Sequence, residues 1–321
     1  MDSKETKRTV PVPSVGADGE QPISQTPTVS ITEETTENNP PEKNYAELLR
    51  KMQRMNDPAY LPTISMNELY ENVYQSRPPI IDGLLYPGTY LFAGAPKVGK
   101  SFLMAQLAYH VSMGLPLWDY PVHKGTVLYL ALEDDHRRLQ ERLYRMFGME
   151  GTNDLLFSIC AKQVGAGLEE QLKRFVQEHP DTKLIIIDTL QKIREAGGDK
   201  YSYANDYEVV GKLKRLADAC GVCLLLVHHT RKQQADDKFD MISGTNGLSG
   251  AADGAFLLQK EKRTDDTATL DVVGRDQQDQ RLYLTKDKEH LTWTLERMET
   301  ELWVDPPDPA LEAVAAFITA E

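Results

Sequence analysis

The sequence predicts an α/β fold, a mainly parallel central sheet flanked by helices with antiparallel strands added late in the chain. Three observations carry this prediction. The octapeptide Gly94-Ala95-Pro96-Lys97-Val98-Gly99-Lys100-Ser101 fits G-x-x-x-x-G-K-[ST] and lies between an apolar run at 89–93 and a helical pattern unbroken until Gly114. Apolar runs of strand length alternate with helical patterns, as a parallel sheet with crossover helices requires. One run, Lys183-Leu184-Ile185-Ile186-Ile187-Asp188, is aliphatic like a strand buried on both faces and closes on an acid.

Taken in order, residues 1–43 are rich in Pro, Ser, Thr and Glu and hold almost no large apolar residues. They cannot bury enough surface to offset ordering entropy and read as a disordered tail. Residues 44–77 read as a short helical extension. One amphipathic pattern spans 45–52, and a second is N-capped by Ser65 with Leu69, Val73 and Tyr74 on one face. Such helices dock either on their own domain or on a neighbouring subunit.

The core is expected over 78–296. Residues 78–88 read as a strand and turn leading into the strand 89–93 and its phosphate loop. Strands follow at 126–132, 156–159, 183–188 and 222–227, with helices at 137–147, 168–178 and 207–219 between them. Residues 254–259, 268–273 and 280–284 read as strands with tight connections, hence antiparallel, and 290–295 as one more. Residues 297–321 read as a linker and a helical pattern, the start of a further module.

The length of 321 residues suits one large α/β domain with appendages. No apolar run approaches the roughly 20 residues of a membrane span. The start, Met1-Asp2-Ser3-Lys4-Glu5, lacks the apolar core of a signal peptide, so no membrane association and a cytoplasmic location are expected. Three cysteines fit a reducing compartment, and Cys220-Gly221-Val222-Cys223 reads as core packing beside a helix-ending glycine. A net charge of −13 argues against coating nucleic acid by bulk charge, while leaving room for a narrow basic channel.

The phosphate loop brings definite chemistry. Gly94 and Gly99 let the backbone curl into a nest of N–H groups where a Cβ would crowd the ligand. Lys100 supplies charge to the β- and γ-phosphate oxygens, and the Ser101 hydroxyl is placed to ligate Mg²⁺. Gly94, Ala95, Pro96, Lys97, Val98, Gly99, Lys100, Ser101 and Phe102 form the expected nucleotide-binding set, with ATP and Mg²⁺ as its ligands.

Asp188 is the expected second acid, holding the Mg²⁺ shell. Glu133, at the end of the strand taken to lie next to that of the phosphate loop, is the expected base for an attacking water, with Asp134 as competitor or partner. In many phosphate-loop classes a Glu directly follows the strand acid; here Thr189 stands there. His229 is expected to sense the γ-phosphate, with His228 as runner-up; no third ligand at metal spacing accompanies the pair.

Arg231 and Lys232, the small-residue loop 243–250, and Lys200 with Tyr201 are candidate contacts for single-stranded DNA. Arg275, at the end of a late strand, is the candidate finger reaching a neighbour's γ-phosphate, with Lys260, Lys262 and Arg263 as alternatives.

Together these residues resemble the RecA-like P-loop ATPases, and within them the hexameric replicative helicases of RepA type. The matching pieces are residues 94–101, Tyr129-Leu130-Ala131-Leu132-Glu133-Asp134, Ile185-Ile186-Ile187-Asp188-Thr189-Leu190 and Val227-His228-His229-Thr230. The resemblance covers about residues 78–284. The resemblance implies a homo-oligomeric ring, a hexamer, with ATP between neighbours and channel loops gripping single-stranded DNA, in replication of a plasmid or mobile element. Lys100, Ser101, Glu133, Asp188 and His229 map onto its catalytic set. Where the RepA-type pattern has an arginine shortly after an Asp, this chain has Asp253-Gly254-Ala255-Phe256, which leaves Arg275 as a finger of the DnaB-like kind or no finger. The alternative reading is an ATP-gated assembly or regulatory module of the same superfamily.

Overall fold

The computed structural model describes residues 49–50, 52–73, 77–194, 203–230, 238–242, 246–262 and 264–300. The chain divides into two compact units, Met1–Val73 and Tyr74–Glu321.

In the first unit a short helix, α1 (Met66–Glu71), begins at a capping box. The Ser65 hydroxyl accepts from the Glu68 N–H at 3.2 Å, and the Glu68 carboxylate accepts from the Ser65 N–H at 2.8 Å. Asn72 turns extended, so the helix stops before Val73, and α1 buries none of its residues. The apolar face expected to run from Leu69 through Val73 is therefore not one helical face. Tyr74 and residues 45–48 lie outside the described residues.

The second unit is built on one nine-stranded sheet. Its strands are β1 (Gly88–Gly94), β2 (Thr126–Ala131), β3 (Leu155–Ser158), β4 (Thr182–Asp188), β5 (Cys223–His229), β6 (Gly254–Gln259), β7 (Thr267–Gly274), β8 (Gln280–Lys286) and β9 (Trp293–Thr300). The order is β3-β2-β4-β5-β1-β6-β7-β8-β9. The strands from β3 to β6 in that order are parallel, and β7, β8 and β9 follow antiparallel. This is the RecA-like arrangement, a mainly parallel sheet with late antiparallel strands.

Helices cover both faces of the parallel part, which explains its unbroken apolar runs. Tyr90 and Phe92 pack on one side with Leu103, Met104 and Leu107 of α2 (Lys100–Met113) and Leu139 of α3 (His136–Phe147). Leu91 and Ala93 pack on the other with Leu168 and Leu172 of α4 (Leu168–Glu178) and Val210 and Leu213 of α6 (Tyr203–Cys220). A single turn, α5 (Leu190–Ile193), follows β4. Among the described residues no helix is long and apolar enough to cross a membrane.

Three expected elements differ. Of residues 78–88 only Gly88 belongs to a strand, as the start of β1; Ile81 makes only isolated bridges to Leu85 and Val122, and the apolar side chains there plug the core. A short apolar run cannot by itself distinguish strand from buried turn. Residues 246–250 of the expected loop 243–250 fall in α7 (Asn246–Ala251), whose Leu248 and Ala251 join the second core. The last strand starts at Trp293 and runs to Thr300, later than the expected 290–295.

That strand braces the phosphate loop. Trp293 is fully buried. Its N–H donates to Gln106 Oε1 at 2.7 Å, while its carbonyl accepts from Gln106 Nε2 at 2.8 Å and Trp118 Nε1 at 2.6 Å. Gln106 lies on α2, so a two-way amide clasp ties β9 to the helix behind the loop. The indole then abuts Gly99, whose φ of 114° favours glycine and where a Cβ would stand 2.7 Å from the ring. We expect Gly99→Ala to lower unfolding free energy by about 2 kcal/mol through crowding and backbone strain. The loss should shrink in a Trp293→Phe background, as chemical denaturation of the four variants of the cycle would show.

Candidate active site

The sheet order places the expected residues at one edge. The carboxyl ends of β1, β5, β4 and β2 lie side by side: Gly94 pairs in register with His229, Val227 with Asp188, and Asp188 with Ala131. The phosphate loop leaves β1 there, His229 ends β5, Asp188 ends β4, and Glu133 follows β2 in a turn. One correction concerns β2. It was expected beside the phosphate-loop strand, but β4 and β5 intervene, and Glu133 reaches the site from three strands away.

These side chains line a cavity of about 480 Å³ with Pro96, Lys97, Gly99, Phe102, Arg142, Thr189 and Lys286. Lys100 is buried at its floor. Its ammonium donates to the Gly94 carbonyl at 2.8 Å and the Ala95 carbonyl at 3.0 Å. Burial pulls its pKa down to about 8, against the opposing pull of Asp188 and Glu133.

His229 Nδ1 lies 3.3 Å from the same ammonium. An ammonium has only donors, so Nδ1 accepts and the ring proton sits on Nε2. Burial first, then the Lys100 charge, lowers the imidazole pKa and favours the neutral ring. Successive strand residues face opposite ways. His229 accordingly lines the cavity, while His228 is buried.

Asp188 Oδ2 accepts from the Ser101 hydroxyl at 2.7 Å and the Tyr129 hydroxyl at 2.9 Å. Burial raises the Asp188 pKa, and these two hydrogen bonds oppose that rise. Burial, and next the Asp188 charge, holds the Tyr129 phenol far above its ordinary range, so it stays a donor. The hydroxyl and carboxylate oxygens of Ser101 and Asp188 converge beside the lysine, a hard-oxygen pair that fits Mg²⁺, which keeps most of its ligands as water and phosphate.

Glu133 Oε1 accepts from the Thr189 hydroxyl at 3.2 Å. Asp134, the competing candidate base, pairs with Arg142 at 2.8 Å. The Phe102 ring lies under two cations, Lys286 at 4.0 Å and Arg142 at 5.3 Å.

The loop glycines answer to protein neighbours. A Cβ on Gly94 would stand 2.7 Å from the Leu258 carbonyl of β6, and one on Gly99 would meet Trp293. Strand and indole packing therefore constrain both glycines in addition to the close approach expected of a ligand.

Arg275 does not join this cavity. Gly274 pairs with Gly254 at the amino end of β6, the opposite edge of the sheet. There the Arg275 N–H donates to the Asp253 carbonyl at 2.9 Å, and its guanidinium lies 3.7 Å from the Asp253 carboxylate with its side chain 61 % exposed. Lys260 is instead at the loop end, with its ammonium 5.3 Å from the Trp293 ring. Arg263 and the candidate DNA contacts Lys200, Tyr201, Arg231 and Lys232 lie outside the described residues.

Five residues that touch or brace the site carry no assigned role in the sequence: Tyr129 and Thr189, which lie within the matching pieces, and Arg142, Lys286 and Trp293. Arg142 had a signal, since it faces back along α3 toward the acids that precede the helix. Lys286 and Trp293 had none, because only the return of β8 and β9 to the loop brings them near.

Many solved structures are similar to this chain, and two of them illustrate the shared fold. One, described as the ATPase domain of G40P, has a TM-score of 0.56 at 14% identity, covering 80% of this chain and 99% of that one. The other, of a DnaB-like replicative helicase and its interactions with primase, has a TM-score of 0.55 at 16% identity, covering 78% and 71%. At these identities the likeness is one of fold, that of the RecA-like P-loop ATPases. No curated protein matches the chain. The AAA_25 family profile, described as an AAA domain, matches residues 55–235, more than half of the 321 residues, and the chain belongs to that family.

Proposed function

We propose that this chain is a Mg²⁺-dependent ATPase that works in the cytoplasm as a ring-forming oligomer, a hexamer by analogy with RepA-type helicases. It couples hydrolysis to binding and moving on, or remodelling, single-stranded DNA in replication of a plasmid or mobile element. The observation that carries the reading is the convergence of Lys100, Ser101 with Asp188, Glu133 and His229 on one cavity at the carboxyl ends of four parallel strands.

The roles follow from charge and reach. Lys100 exchanges loop carbonyls for phosphate oxygens and offsets the charge that grows on them. Mg²⁺ held at Ser101 and Asp188 would withdraw charge from the same phosphate group. Glu133, anchored at one oxygen by Thr189, keeps the other for orienting water. A neutral His229 touching Lys100 can report the loss of the γ-phosphate to the chain beyond β5. Arg275, exposed at the opposite edge, is the proposed finger for a neighbour's site in a head-to-tail ring. Arg231, Lys232, Lys200 and Tyr201 remain the proposed DNA contacts.

Three measurements test this. Lys100→Ala is expected to reduce steady-state ATP hydrolysis at least about 100-fold; turnover surviving in that variant would overturn the assignment. Glu133→Gln should lower kcat about 10²–10³-fold while leaving nucleotide affinity within a few fold. Single-stranded DNA should stimulate wild-type turnover in a salt-sensitive way, and replacing Arg231 and Lys232 with alanine should remove the stimulation but not basal turnover. Turnover indifferent to DNA, together with a nucleotide-dependent change in oligomer size, would instead favour the ATP-gated assembly module.

A further inference from the structure

The two acids of the site sit on different strands, and each is held by a hydroxyl from the strand of the other. Tyr129 belongs to β2 and donates to Asp188 at the end of β4 at 2.9 Å. Thr189 directly follows β4 and donates to Glu133, just past β2, at 3.2 Å. The strands are hydrogen-bonded neighbours, with Tyr129 in register with Ile186 and Ala131 with Asp188.

We infer that Tyr129 and Thr189 form a reciprocal latch that sets the spacing and orientation of Asp188 and Glu133, Tyr129 acting as the positioning residue for the metal site and Thr189 for the water-orienting carboxylate. The inference rests on the proposed nucleotide reading of the site. It assigns tasks to two side chains that neither the phosphate loop nor the strand-ending acids account for.

Several features favour a positioning role over simple satisfaction of polar groups. The Tyr129 ring is fully buried in the core and lies 5.5 Å from the Phe157 ring, so packing delivers its hydroxyl to one place. Of the two donors on Asp188 Oδ2, the Ser101 hydroxyl is the one needed by the metal, which leaves Tyr129 to keep the carboxylate oriented whether or not metal is bound. Thr189 is also buried and lines the cavity, at the position where a second acid would stand if the base were on β4. With the base on β2 instead, a hydroxyl at that position can hold it across the strand boundary. An acid there would face Glu133 with like charge.

The test uses the full chain and near-isosteric changes. In a titration of fluorescent ADP binding against Mg²⁺, Tyr129→Phe is expected to raise the Mg²⁺ midpoint about tenfold while leaving Mg²⁺-free ADP affinity unchanged. Thr189→Val is expected to lower kcat about tenfold at unchanged KM, and Thr189→Ser, which keeps the hydroxyl, to stay near wild type. A merely structural tyrosine would not separate metal-dependent from metal-free binding, and a merely space-filling threonine would tolerate valine better than serine. A Mg²⁺ midpoint for Tyr129→Phe within twofold of wild type, or a Thr189→Ser variant as slow as Thr189→Val, overturns the latch. Should Tyr129→Phe fail to fold, the Thr189 pair decides. Wild-type protein that binds no ADP at any Mg²⁺ concentration overturns the nucleotide reading along with the latch. Wild-type binding with unaffected variants overturns the latch alone.

Discussion

Burial of the parallel strands on both faces is the constraint from which the rest of this molecule follows. Side chains of β1, β4 and β5 point alternately into two apolar cores, so neither face of the central sheet has room for solvated chemistry. Polar work must then be done where strands end. The connections at the carboxyl edge are the phosphate loop, the turn holding Glu133, and the segments after Asp188 and His229. Adjacent strands bring them together with no need for long-range docking.

The antiparallel strands do a different task. They extend the sheet past β6 and fold back so that Trp293 and Lys286 return to the phosphate loop. The Gln106 clasp and the indole under Gly99 make the loop a braced structure with packing on its underside. Lys286 and Arg142 then flank Phe102 at the cavity's entrance. The overall charge of −13 therefore says little about the site, whose wall is locally cationic around Lys97, Lys100, Arg142 and Lys286.

The opposing charges in the cavity are balanced at short range. Lys100 sits between loop carbonyls and His229, Asp188 between two hydroxyls, and Asp134 against Arg142. Each buried ionic group has a partner, which is the condition for keeping charge in a low-dielectric site. Arg275 follows a different rule: exposed at the opposite edge, it has one loose ionic contact, and its proposed task lies outside its own subunit.

By itself the sequence determined the α/β class, the phosphate loop between strand and helix, and the strand-ending residues Asp188 and His229. All are local patterns, in which neighbours along the chain dictate conformation and chemistry together. It also marked Glu133 as an acid at a strand end, but not which strands lie between it and the loop. Strand order, the plugging turn at 78–87, the helix at 246–251, the arrival of Trp293, Lys286 and Tyr129 at the site and the pairing of Thr189 with Glu133 were decided by tertiary structure. Those contacts join residues up to 187 positions apart, as Gln106 and Trp293 do, and no local periodicity records which distant strand a side chain will meet.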